Sequence, residues 1–202
     1  MSGSQTKTEV FTVTEMGDAA AEGGKSNTNN KRRVYEQYVQ PCLAELFGTS
    51  LFMFVGCASV IGNVGTTLIQ PALAHGLVVG VLIKAFGQIS GGHFNPVVSV
   101  SIYLCGGMKL VLLLPYVLAQ MIGSVIGAFL TKAVYPSSLY TSSLGGAFNV
   151  VNGDLGKITL SEVMLTLILT TVVCMMAVNS QTRTPWAPFC IGLTVTANIF
   201  AG

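Results

Sequence analysis

Charge is scarce in this chain of 202 residues: 9% are Asp, Glu, Lys or Arg, 51% are hydrophobic, and the mean hydropathy is +0.66. A soluble domain carries roughly 25% charged residues, so the shortage excludes that class and points to a membrane protein with several spans. Basic residues outnumber acidic ones by only ten to eight, and they fall at segment ends rather than in a patch, which argues against nucleic acid as a partner. Histidine is limited to His75 and His93. Neither lies in a His-Glu-x-x-His motif and no Gly-x-Ser-x-Gly is present, so no enzyme activity and no catalytic residue is expected. The five cysteines, Cys42, Cys57, Cys105, Cys174 and Cys190, show no Cys-x-x-Cys and no metal-ligand spacing. They read as buried thiols, and neither metal nor cofactor is expected. The first forty residues lack the apolar run of a cleavable leader, so the first span is expected to direct its own insertion.

What is present is organised around Ser90-Gly91-Gly92-His93-Phe94-Asn95-Pro96-Val97. Asn is a favoured helix N-cap, and Pro suits the first turn, where its missing N–H would be unpaired anyway. A helix therefore starts at Pro96 and stops at Gly106-Gly107, after roughly nine residues or about 13 Å. That is about half the thickness of a bilayer core. A glycine-rich extended segment entering a half-length apolar helix between full-length ones reads as a re-entrant loop. Such backbone is tolerated at membrane depth only where protein covers it or where it lines a water-filled cavity. The positive end of the half helix would then lie at the midplane beside the Asn95 amide, placed to orient a polar solute and to repel cations. The alternative is an ordinary capped surface helix.

Taken in order, residues 1–33 read as a flexible tail, too polar to bury themselves, ending in Lys31-Arg32-Arg33. Residues 34–131 form a first unit with spans near 41–61, 71–88 and 110–131 plus the half helix. A polar connection occupies 132–159. Residues 160–202 begin a second unit, with a span near 160–178 and an apolar run, 187–202, short of the roughly twenty residues a crossing needs. If the half helix enters and leaves on one face, that face holds Lys31, Arg32, Arg33, Lys84, Lys109 and Arg183, and the opposite one holds Lys132 and Lys157. The positive-inside tendency then puts the N-terminus in the cytoplasm; Lys84 reads as a snorkelling anchor.

The two units repeat. Glu45-Leu46-Phe47-Gly48-Thr49 aligns with Glu162-Val163-Met164-Leu165-Thr166 at an offset of 117, and Gly76, Leu77, Val79 and Ile83 align with Gly192, Leu193, Val195 and Ile199 at 116. Three crossings per unit is an odd number, so the second copy is inverted, and inverted repeats place a solute path at their interface near the midplane. Glu45 and Glu162 occupy equivalent places, where a carboxylate is costly unless hydrogen-bonded. Both are expected to accept backbone N–H groups of the non-helical loops, or else to snorkel. Gly76-xxx-Gly80 and Gly123-xxx-Gly127 are expected to allow close helix contacts.

On the Gly-Gly-His-Phe-Asn-Pro run, the paired Glu45 and Glu162, Leu73-Ala74-His75-Gly76 and Ala187-Pro188-Phe189, the chain from about Gln40 through Gly202 resembles the aquaporin (major intrinsic protein) family, and most closely its aquaporin-8 branch. The resemblance implies an all-α inverted-repeat bundle and a passive, proton-excluding channel for water and small neutral solutes, in a plasma or intracellular membrane. It also implies a homotetramer with one pore per subunit, its partners being solute and lipid bilayer. Matched by position, Asn95, Pro96, Val97, His75 and Ile199 are the pore residues, while Gly91, Gly92 and His93 support the loop with the two glutamates. His75 could also be a core histidine bonded to a carbonyl; the resemblance favours the pore. A His and an Ile at the constriction resemble members that also pass ammonia and hydrogen peroxide; a glycerol-type pore is the alternative. Two departures stand out. Val97 replaces the family's usual Ala, and the repeat puts the second Asn at position 211. The second half helix, the sixth span and the family's Arg thus fall outside these residues, and the 202-residue chain alone is expected not to conduct, whether it is a partial record or a truncated subunit.

Overall fold

The structure, a computed structural model, describes residues 27–63, 67–147 and 154–202. Among these every regular element is helical: α1 Asn27–Val34, α2 Gln40–Ile61, α3 Ile69–Ser90, α4 Pro96–Leu104, α5 Leu110–Val134, α6 Ser137–Ser142, α7 Leu155–Val173 and α8 Ala187–Ala201. A π-helical turn, Tyr35–Val39, joins α1 to α2, and a second, Cys174–Val178, ends α7. Four stretches are long and apolar enough to cross a membrane: Arg32–Ile61, Ile69–Ser90, Leu110–Val134 and Leu155–Val178. The fifth, Ala187–Ala201, is shorter.

Local chemistry sets the ends. Asn95 caps α4 in extended backbone (φ −152°, ψ 127°), and Gly106 at φ +75° turns the chain away after it. Asp154 caps α7 by accepting from the Gly156 N–H at 2.9 Å, and α3 ends at Gly91 in the left-handed region, φ +90°.

Two stretches differ from the sequence reading. Residues 27–33, expected in a flexible tail, are helical and run on into the first span, because a helix once nucleated propagates through indifferent residues; residues 1–26 of that tail lie outside those described. The polar connection 132–159 holds α6, a 3₁₀ turn at Leu144–Gly146 and the first turn of α7, while 148–153 are again outside the described residues.

Packing follows the small residues. Helices α2 and α5 run parallel: a Cβ on Gly127 would lie 2.5 Å from the Ser50 carbonyl oxygen and 2.7 Å from Met53 Cβ, and Tyr135 Oη donates to the Ala58 carbonyl at 3.1 Å. Helices α3 and α8 cross antiparallel through Gly76, Gly80 and Gly192, with Thr196 Oγ1 donating to the Ala72 carbonyl at 3.2 Å. The core joins Val79, Leu82 and Ile83 of α3, Val98 and Ile102 of α4, Leu112 and Tyr116 of α5, and Val173, Ala177 and Ile191. Helix α4 thus packs against α5, α7 and the Cys174–Val178 turn and turns Val98 and Ile102 into the shared core, while Val97, Val100 and Leu104 stay exposed. By contrast, only 11% of the most apolar stretch of Leu155–Val178 is buried, against 50% for Arg32–Ile61, so α7 turns most of its apolar surface outward, as lipid contact permits.

Candidate functional site

The site begins at Glu45, which is completely buried on α2. Its Oε1 accepts from the Ser90 hydroxyl at 2.6 Å and the His93 N–H at 3.0 Å; its Oε2 accepts from the Phe94 N–H at 2.7 Å and from Gln120 Nε2 at 2.9 Å. A carboxylate this deep is tolerable only because its charge is spread over donors, and hydrogen bonds to a charged group are each worth about 1.5–3 kcal/mol. The acid therefore fixes the irregular segment between α3 and α4 to the side of α2 and α5.

Around it the polar groups close on one another. Gln120, also fully buried, uses its second amide hydrogen on Ser99 Oγ at 2.9 Å. Ser99 Oγ lies 3.1 Å from His93 Nδ1 and, having accepted from Gln120, is free to donate to it. Tyr116 Oη donates to the Ser90 carbonyl at 2.8 Å, and its ring meets His93 edge to face at 5.3 Å between centroids. His93 is 9% exposed and turned into this network, so it braces the loop from within.

The loop's backbone requires its glycines. Gly92 sits at φ +65°, and a Cβ there would lie 3.0 Å from Ile83 Cα; an L-residue would meet both torsional strain and backbone. Phe94 is also left-handed, at φ +49°, a strained state for a bulky residue. It is held by its N–H bond to Glu45 and by an edge-to-face contact with Phe86 at 6.1 Å.

Asn95 follows. Its Oδ1 accepts from the Val97 N–H at 2.8 Å and the Val98 N–H at 3.5 Å. An amide N–H can be accepted only by the oxygen, so the cap fixes the side chain's orientation and leaves Nδ2 without a hydrogen bond among the described residues. The carbonyls of Gly91, Gly92 and His93 likewise accept none. All four residues line one side of a cavity of about 50 Å³ whose other walls are apolar, from Phe52, Val79, Ile83, Val98, Ile102, Val173, Ile191 and Val195. A water needs roughly 10–15 Å³ of such space, so the cavity takes a few waters. Asn95 and the backbone of Gly91, Gly92 and His93 supply the polar part of its lining.

The remaining sequence-selected residues fall elsewhere. His75, half-buried, stands one turn beyond Val79 on α3, and Ile199, also half-buried, one turn beyond Val195 on α8. Because α3 and α8 are antiparallel, both lie past the same end of the cavity rather than in its wall. His75 Nδ1 is 2.8 Å from the Pro71 carbonyl, which can only accept, so Nδ1 carries the proton and Nε2 is the open nitrogen. The space for Nε2 comes from Gly56, where a Cβ would lie 2.6 Å away. Pro96 is the first residue of α4 and half-buried. Val97 is 48% exposed and outside the cavity wall, because the second helical position points away from the loop that Asn95 faces. Glu162, paired with Glu45 by the repeat, is exposed on α7 and hydrogen-bonds to none of the described residues. At the offset of 116 the clamped loop 90–94 corresponds to positions 206–210, outside residues 1–202. Gln120 and Tyr116 were not singled out by sequence, although a glutamine inside an otherwise apolar span is itself a signal of a buried partner.

Residues 33–202 match the family described as major intrinsic protein. The chain is 49% identical over 171 residues to aquaporin-8 of Mus musculus, covering 83% of this chain and 66% of that protein. It is 48% identical over 171 residues to aquaporin-8 of Rattus norvegicus, covering 83% and 65%. It thus spans just under two thirds of the length of these curated relatives. The fold superposes on the X-ray structure of the aquaglyceroporin from Plasmodium falciparum with a TM-score of 0.69 at 21% identity, covering 81% of this chain and 72% of that one. The clamped Asn-Pro half helix, the inverted pairing of α3 with α8 and the match over residues 33–202 together establish that this chain belongs to the major intrinsic protein family, the aquaporins.

Proposed function

We propose that these residues form part of a passive transmembrane channel for water and small neutral solutes, with Asn95 and the carbonyls of Gly91, Gly92 and His93 as its polar wall. The observation that carries the reading is Asn95: its oxygen is committed to the helix cap and its NH₂ to no partner among the described residues, at the edge of a largely apolar cavity with room for a few waters. A solute there trades hydrogen bonds with bulk water for one donor and a few acceptors, and apolar walls opposite hold it only weakly, so it can also leave. The positive end of α4 opposes cations, including protons, at the same point.

His75 and Ile199 are proposed as the constriction at one end of this path, with the open Nε2 of His75 as its polar group. Water, ammonia and hydrogen peroxide are the proposed solutes, since each is small, neutral and able to accept from Asn95. The assembly proposed is the homotetramer, with the N-terminus cytoplasmic, as the six-to-two distribution of basic residues supports. A preparation of residues 1–202 alone is proposed not to conduct, because the repeat assigns the counterpart of α4 to positions beyond 202.

Stopped-flow light scattering on proteoliposomes tests this, using the complete coding sequence that contains these residues. An osmotic step should produce faster volume change than in protein-free vesicles, with glycerol uptake at the protein-free rate. No acceleration with water, ammonia or peroxide rejects the channel; fast glycerol entry would make the pore a glycerol-type one.

A further inference from the structure

We propose that Cys105 and Cys174 are an oxidisable pair, which a hydroperoxide converts to an intramolecular disulfide tying the C-terminal end of α4 to the π turn that ends the α7 span. The two sulfurs lie 3.3 Å apart although 69 residues separate them in sequence. The other three cysteines, Cys42, Cys57 and Cys190, are half-buried and have no sulfur partner among the described residues. Cys105 is exposed and is the residue that ends α4; Cys174, half-buried, opens the Cys174–Val178 turn and has its sulfur 3.9 Å from the Ser101 carbonyl oxygen.

Closing the gap to an S–S bond of about 2.05 Å asks for a small local shift, and the chain on the Cys105 side can supply it. Gly106, next in sequence, is at φ +75°, and a Cβ there would meet nothing within 4 Å. The turn after Cys105 is therefore unconfined, whereas the N-terminal end of α4 is fixed by the Glu45 network. The proposed orientation puts the pair at the cytoplasmic end, where the glutathione pool keeps thiols reduced, so the dithiol is the resting state.

The chemistry balances with a hydroperoxide as oxidant. The thiolate of the more exposed Cys105 attacks the terminal oxygen of ROOH, forming an S–O bond as the O–O bond breaks; the departing alkoxide, or hydroxide for hydrogen peroxide, takes a proton and leaves as ROH. Cys174, as thiolate, then attacks the sulfur of the resulting sulfenic acid, forming S–S as S–O breaks, and the hydroxide released takes a proton and leaves as water. Two thiols lose two electrons and the peroxide is reduced by two. Since Ile102 on α4 and Val173 and Ala177 around the turn all line the same cavity, the bond would fix the spacing of those parts of its wall. That last consequence rests on the channel reading; the bond itself does not.

The test is a thiol census by mass spectrometry on the purified full chain in detergent, before and after hydrogen peroxide, with N-ethylmaleimide trapping the remaining thiols. Of the five cysteines in residues 1–202, those found alkylated should fall from five to three and return to five with dithiothreitol. Trypsin, cutting after Lys84, Lys109, Lys157 and Arg183, should release peptide 85–109 linked to peptide 158–183. Cys105→Ser should leave Cys42, Cys57, Cys174 and Cys190 all alkylated after peroxide. Five alkylated thiols after peroxide, or links through Cys42, Cys57, Cys190 or a second chain instead, would overturn the proposal. The linked peptide is sought in the unsubstituted protein and read by mass rather than flux, so neither a misfolded variant nor a failed transport assay bears on the result.

Discussion

Gly76 and Gly192 meet backbone to backbone: a Cβ built on Gly192 would lie 2.5 Å from the Gly76 carbonyl oxygen and 3.4 Å from Gly80 Cα. These are the two positions that the internal repeat equates. A residue that touches its own repeat equivalent marks where the two-fold axis passes, as in any self-complementary interface. The α3–α8 crossing therefore brings repeat-equivalent positions together, and Val79, Ile83, Ile191 and Val195 from its two helices line the cavity beside Asn95.

Substitution at that crossing should be severe. Gly192→Leu adds four carbons where even the first has no room, and overpacking costs about 1–3 kcal/mol or more when backbone cannot retreat. The melting temperature in detergent should drop sharply, while Leu193→Val, one position along on the exposed face of α8, should leave it nearly unchanged.

The two repeat-equivalent glutamates should behave differently within residues 1–202. Glu45→Gln replaces an acceptor that serves four donors with an amide whose NH₂ must face one of them, leaving at least one buried donor unpaired at a cost of about 1–3 kcal/mol. Glu162→Gln touches no described partner and should stay within about 0.5 kcal/mol of the parent, as exposed substitutions do. Parallel thermal melts decide it, and equal losses would contradict the clamp.

Gln120 offers a finer check. Gln120→Leu removes donors to both Glu45 and Ser99, so Glu45 keeps three of its four bonds and Ser99 Oγ loses a partner. A loss of about 1–3 kcal/mol is expected, with amide hydrogen exchange at His93 and Phe94 accelerated relative to that in the middle of α2.

Much of this was legible in the chain. The half helix falls on the expected residues because Asn-Pro and Gly-Gly are local signals that need no tertiary context, and Glu45 was conspicuous because an acid in an apolar span demands a partner. Helix formation over residues 27–33 was hidden because Asn-rich composition resembles a tail, and only continuity with α2 makes it helical. Glu162 matches Glu45 in residue type and repeat position, but it is exposed among the described residues, and the loop that the offset of 116 pairs with it falls beyond residue 202. The proximity of Cys105 to Cys174 has no local signature at all, since it arises from packing across 69 residues.

Asn95→Asp is the sharpest probe of the channel account. Aspartate caps a helix as well as asparagine does, so the Val97 N–H keeps its acceptor and the melting temperature should hold, while the NH₂ facing the cavity becomes a carboxylate oxygen and the solute's donor is gone. Osmotic water permeability of proteoliposomes carrying the complete coding product should then fall to the protein-free rate with the fold intact. Undiminished permeability in a stably folded Asn95→Asp protein would contradict the assignment of Asn95 as the polar wall of the path.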